Sequence, residues 1–207
     1  AREAAALLWR HRCAGTVLHE LPPALRPHTA AEGYAIQAAL PGVAGRSVVG
    51  WKIAATSQAG QAHINVGAPL AGRILSGGVI DAGSVVSLAG NRMRVVEPEF
   101  AFCIGRSVAP RAAPYTMDEV RGAVASLHPA FEIPDSRYAE FTRAGQAQLI
   151  ADQRVAPGSV DQVSRHAAER LSGVHAAIDH DCVRLDGEVG HSPTLERRDP
   201  AGSCVLE

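Results

Sequence analysis

The sequence predicts an α+β fold built on an antiparallel or mixed sheet, and three observations carry that prediction. Short apolar strands are joined through Gly/Asn turns such as Gly77-Gly78 and Gly90-Asn91, a pattern that favours strand-to-strand pairing over regular βαβ units. Two segments carry the capping-box signature of a helix start, Thr29-Ala30-Ala31-Glu32 and Thr116-Met117-Asp118-Glu119. At 207 residues, with 46% hydrophobic and 20% charged side chains, the chain fits one domain with a real core. Residues 1–45 read as a helical N-terminal part, 46–190 as a sheet-bearing core, and 191–207 as a polar tail with no assignable pattern.

Taken in order, residues 1–12 form a helix that stops before Gly15. Leu21-Pro22-Pro23 and Arg26-Pro27 connect it to the first capping box, whose helix runs through Tyr34 and Ile36 to Leu40 and is closed by Pro41-Gly42. Ser47–Ala54 reads as a strand, followed by a short helix from Thr56 or Ser57 to about Asn65. Asp81-Ala82-Gly83 precedes a second strand, Val85–Leu88, and Gly90-Asn91 turns the chain into a third, Arg94–Ile104. The second capping box opens a helix reaching about Leu127. Pro129–Asp135 then reads as strand, Ser159 as a helix start, and Val174–Leu185 as strand closed by a hairpin turn at Asp186-Gly187.

The third strand is the unusual one. Side chains alternate faces with a period of two, so Glu97 and Glu99 share one face while Pro98 points away. Two carboxylates that close repel, and burying either alone costs several kcal/mol, on the order of polar-group transfer energies. A cation between them removes both problems. Glu132, set among apolar neighbours in another strand, supplies a third misplaced carboxylate. An oxygen-only set with no His or Cys beside it suits a hard cation and argues against zinc. Alternating glutamates are common on solvated strand faces, and the pair alone reads better as such a face; Glu132 and one lysine tip it towards a site.

That lysine is Lys52. Lys and Arg total 20, and Lys52 is the one lysine among nineteen arginines. It lies in an apolar strand, where a compact ammonium that shifts its pKa readily is suited to proton transfer.

Other function classes find little support. The net charge of −1 leaves no footprint for nucleic acid or an anionic membrane. No apolar run approaches the roughly 20 residues of a membrane span. No G-x-S-x-G elbow, Walker loop or G-x-G-x-x-G occurs. The nine histidines lack metal-ligand spacing, and Asp179-His180-Asp181 is a weaker alternative site. Four separated cysteines point to reduced thiols and a cytoplasmic protein.

Three blocks resemble a known family. Val49-Gly50-Trp51-Lys52-Ile53-Ala54, Val96-Glu97-Pro98-Glu99-Phe100-Ala101-Phe102 and Phe131-Glu132-Ile133-Pro134-Asp135-Ser136-Arg137 are similar, in order and approximate spacing, to the fumarylacetoacetate hydrolase superfamily. The nearest branch is that of the 2-keto-4-pentenoate hydratases and 4-oxalocrotonate decarboxylases, and Gln148–Asp152 resembles a downstream segment of it. The resemblance covers roughly residues 20–153. It implies a mixed β-roll flanked by helices, with 46–190 as the roll. It implies Mg²⁺ or Mn²⁺ on Glu97, Glu99 and Glu132, Lys52 as the catalytic lysine, and Gly72 and Arg137 as substrate-binding residues. The implied substrate is a small 2-oxo acid of aromatic-compound catabolism, and the implied assembly a homo-oligomer.

The implied reaction is hydration. Decarboxylation and C–C hydrolysis of the acylpyruvase type are alternatives, because one electrophilic site supports all three. Leu70 stands where the hydratase branch has an acidic residue, Gln153 replaces an asparagine, and a Gly/Thr-rich strand segment is not found after it. These departures motivate a further alternative, an inactive relative partnering an intact paralogue.

Overall fold

The computed structural model describes residues 1–152 and three later strand segments. The helices are α1 (Arg2–Ala14), α2 (Ala30–Ala44), α3 (Gln58–His63), α4 (Met117–Arg121) and α5 (Gln146–Asp152). The strands are β1 (Val48–Ala54), β2 (Leu70–Leu75), β3 (Val79–Asp81), β4 (Val95–Ile104), β5 (Val124–Glu132), β6 (Ser159–Asp161), β7 (Val183–Arg184) and β8 (Ser203–Leu206). Two helices open the chain, and shorter ones then punctuate a run of strands, giving mixed α+β content. The strands join one sheet in the order β2-β1-β8-β4-β5-β6-β3, with β7 pairing β4 off that path. It is a mixed sheet: β8 runs parallel to β1 and antiparallel to β4.

The helices pack one against another before they meet the sheet. Ala4, Ala5 and Leu8 of α1, Ile36 and Leu40 of α2 and Ala151 of α5 close around Leu21 and Tyr138. Each buried Leu or Ile there is worth roughly 1.5–3 kcal/mol of transfer free energy. The α2–α5 contact is tight enough to require glycine, since a Cβ on Gly33 would lie 2.5 Å from the Ala147 carbonyl oxygen. A second cluster, Ile64, Leu70, Leu149 and Ile150, joins α5 to β2. A third, Ile74, Ala101 and Ala130, lies between sheet elements.

Most elements fall where the sequence places them, and the exceptions have local causes. Helix α1 ends on Gly15 in the left-handed conformation, at φ 62. Both capping boxes form with reciprocal hydrogen bonds. Helix α2 runs through Pro41 to a cap at Gly45 rather than closing at Pro41-Gly42; a proline in the last turn forfeits one backbone bond and is followed by little helix. Val85–Leu88 is not a strand. Val85 is 97% exposed, the segment follows a turn through Gly83 at φ 83, and no partner strand lies beside it among the described residues. The helix from Thr116 stops at Gly122 instead of reaching Leu127, and Val124 already begins β5. Five residues of helix bury little by themselves, so pairing with β4 wins the β-branched and apolar positions that follow.

At Ser159 the structure has strand β6 in place of the expected helix start. Strand β7 lies within the expected Val174–Leu185 strand, while the Asp186-Gly187 turn, Asp179-His180-Asp181 and Gln153 fall outside the described residues. Strand β8 forms in the tail that carries no readable pattern. Among the described residues, no helix is long and apolar enough to cross a membrane.

Candidate metal centre

Register builds the site. In the antiparallel β4–β5 ladder, Glu97 lies opposite Glu132 and Glu99 opposite Ala130. Opposed residues share a face, as do residues two apart on one strand, so all three carboxylates occupy one side of the sheet. Pro98, Phe100 and Phe131 emerge on the other, where Phe100 and Phe131 are exposed. Carboxylate oxygens of Glu97, Glu99 and Glu132 lie within 4.8 Å of one another. At an effective dielectric of about 20, two unit charges that far apart repel by on the order of 3 kcal/mol.

Lys52 reaches this group across the intervening strand. It pairs with Leu206 of β8, and Leu206 pairs with Ala101 of β4. That chain of partners puts Lys52 on the face that Ala101 shares with Glu97 and Glu99. Its Nζ lies 2.9 Å from Glu132 Oε1, and the two residues are 5% and 4% exposed. The contact is close but not aligned as a hydrogen bond, and Glu132 Oε1 is a buried acceptor without a hydrogen-bond partner. Lys52 thus lies beside three converging carboxylates in a partly buried place. The donor set is all oxygen, and Glu132 Oε1 within it is buried against the Lys52 ammonium. These residues fit a hard divalent cation.

The two expected substrate-binding residues sit differently. Gly72 is buried and lies opposite Lys52 in the β1–β2 ladder, so no side chain crowds the lysine from that strand. Arg137 is also buried, with one guanidinium nitrogen 2.8 Å from Asp135 Oδ2. Its backbone N–H donates to Asp152 Oδ2, which also accepts from Ser136 Oγ. Farther along the same face of β5, His128 Nε2 and Ser126 Oγ are 2.7 Å apart.

Sequence reasoning passed over Asp135. Its Oδ1 accepts from the backbone N–H groups of Arg92 and Met93 at 3.0 and 3.3 Å. A carboxylate three residues beyond Glu132, in a segment without solvent-facing neighbours, was the available signal.

No family model matches the chain. It is 33% identical over 116 residues to a 4-oxalocrotonate decarboxylase from a Pseudomonas species, a match covering 56% of this chain and 44% of that protein. Two solved structures of 4-oxalocrotonate decarboxylase from Pseudomonas putida G7 share the fold. One, complexed with magnesium and adipate, superposes with a TM-score of 0.67 at 21% identity, covering 77% of this chain and 60% of that one. The other, complexed with calcium and acetate, gives 0.65 over the same shares. The chain therefore spans less than two thirds of the length of these relatives.

The sequence match to a 4-oxalocrotonate decarboxylase agrees with the resemblance read from the three blocks, and the two solved structures show that the fold is shared.

Proposed function

We propose that the chain is a divalent-metal-dependent decarboxylase of a small 2-oxo diacid, using Mg²⁺ or Mn²⁺ held by Glu97, Glu99 and Glu132. The observation that carries this reading is the convergence of three carboxylates, with oxygens within 4.8 Å of one another, beside one buried ammonium. When bound, the cation supplies Lewis acidity towards the carboxylate and 2-oxo oxygens of the substrate. The three glutamates hold it from two paired strands. Lys52 holds a proton at Nζ, where it balances negative charge developing on the substrate and returns the proton to carbon. Gly72 leaves room beside Nζ, and Arg137 contributes the guanidinium nitrogens not given to Asp135. Around this site the sheet forms a β-roll of the superfamily type, and residues 1–207 act as one domain.

Leu70 favours decarboxylation over the hydration that the sequence alone implied. It is packed with Ile64, Leu149 and Ile150 in the helix–sheet core, so this position supplies no acid for adding water to a double bond. The name of the curated relative supports the same choice. A cytoplasmic homo-oligomer completes the reading. Its support is the exposed apolar set Trp51, Phe100, Leu127 and Phe131, which register places on the sheet face opposite the carboxylates.

The test is product analysis with 4-oxalocrotonate and Mg²⁺. Release of CO₂, abolished by Glu97→Gln and by chelation, is the expected result. A hydrated product without CO₂ would replace decarboxylase by hydratase, and no turnover of either kind would overturn both.

A further inference from the structure

The pair Glu97–Glu132 is the last rung of the β4–β5 ladder. A ladder end frays more easily than its middle. Beyond that rung β4 pairs with β7 through Val95 and Val96, so the chain leaving β5 is the side that needs a tie. Asp135 supplies one. It lies three residues after Glu132, and its Oδ1 holds the N–H groups of Arg92 and Met93 just before β4. Its Oδ2 is held in turn by the Arg137 guanidinium, with Arg137 3% exposed.

The segment it grips is itself set firmly. Asn91 Oδ1 accepts from Arg94 N at 2.7 Å, and Asn91 Nδ2 donates to the Pro134 carbonyl at 3.1 Å. Arg94 takes a left-handed backbone at φ 48, a conformation that non-glycine residues keep only where surroundings enforce it. The chain entering β4 and the chain leaving β5 are thus tied together across the end that carries the carboxylates.

We infer that Asp135 is a positioning residue for the metal centre: it acts as a clamp that fixes the Glu97–Glu132 spacing before any cation binds. This rests on the metal reading above. It differs from that reading in assigning the preorganisation of the ligands to a residue that is not itself a ligand.

The experiment compares Mn²⁺ affinity, by calorimetry well below the melting temperature, in the unaltered chain, Asp135→Asn, Asp135→Ala and Leu8→Ala. Leu8→Ala destabilises the distant helical core and controls for lost stability. Outer partners of metal ligands typically cost 10–100-fold in affinity when removed, so Asp135→Ala should weaken Mn²⁺ binding by roughly that factor. Asp135→Asn should fall between, because it keeps an acceptor for Arg92 and Met93 but loses the anion for Arg137. Leu8→Ala should bind as the unaltered chain does. In the metal-free state, amide exchange at residues 95–99 and 130–133 should quicken in Asp135→Ala and not in Leu8→Ala.

Asp135→Ala and Asp135→Asn binding as tightly as the unaltered chain would overturn the clamp and leave the metal reading standing. If Asp135→Ala does not fold, Asp135→Asn carries the same decision. An unaltered chain that binds no Mn²⁺ would overturn the metal reading, and the clamp with it.

Discussion

The helical layer and the carboxylate face both bury polar groups, and they use them in opposite ways. In the helical layer these groups are given over to the backbone. Gln37 Nε2 donates to the carbonyls of Ala71 and Ile150, and its Oε1 accepts from Arg73. Gln148 Oε1 accepts from Leu21 N while its Nε2 donates to Ala144 O. Tyr138 Oη and Asp152 Oδ1 lack hydrogen-bond partners, but the other Asp152 oxygen takes two bonds. On the sheet face three carboxylates converge on one another beside the buried Lys52. Polar groups tied to backbone hold the fold; carboxylates turned towards one another make a donor set that a cation fits.

Lys52→Met strains this distinction most. Removing one partner of a buried ion pair costs about 3–5 kcal/mol, because the other charge is left uncompensated. The metal-free protein should lose stability on that scale in urea denaturation. Added Mn²⁺ should restore more of it in the variant than in the unaltered chain, since the cation replaces the missing positive charge. Equal Mn²⁺ stabilisation in both would mean that the lysine and the ion do not share a site.

Leu21→Ala is the matching change in the helical layer. Leu21 is fully buried, and truncating such a leucine costs roughly 2–5 kcal/mol. Denaturant unfolding should show that loss, with Mn²⁺ affinity unchanged. A coupled loss of affinity would show that the two regions are not energetically separate.

The smallest effect lies at the capping box of α4. Arg111 and the Thr116 backbone hold the Glu119 carboxyl down at about 2. A depressed carboxyl favours the folded state when ionised, so its contribution is complete above the ordinary value of 4.5 and lost as pH falls towards 2. An NMR titration of Glu119 should find its midpoint well below that of a free glutamate, and Glu119→Gln should remove that part of the acid dependence. The group is on the surface, so the effect on global stability should be slight.

Local signals made much of this legible. Capping boxes, Gly15 and the period-two alternation of Glu97, Pro98 and Glu99 are short-range features, and they appear where the residues put them. Glu132 could be picked out as misplaced, but its position opposite Glu97 depends on ladder register, which no local pattern states. Val85–Leu88 shows the converse: its composition suits a strand, and no partner lies beside it among the described residues. Asp135 escaped notice because its role is to join two segments more than forty positions apart. Strand β8 escaped for a similar reason, since pairing with β1 and β4 creates it where the tail shows no periodicity of its own.

The central claim is that Glu97, Glu99 and Glu132 hold a divalent cation. Crystals soaked in Mn²⁺ and oxalate test it most directly, by anomalous scattering at the manganese edge. The account predicts one strong peak within coordination distance of all three carboxylates, absent in crystals of Glu132→Gln. A peak elsewhere, or none between the glutamates at saturating Mn²⁺, would contradict it.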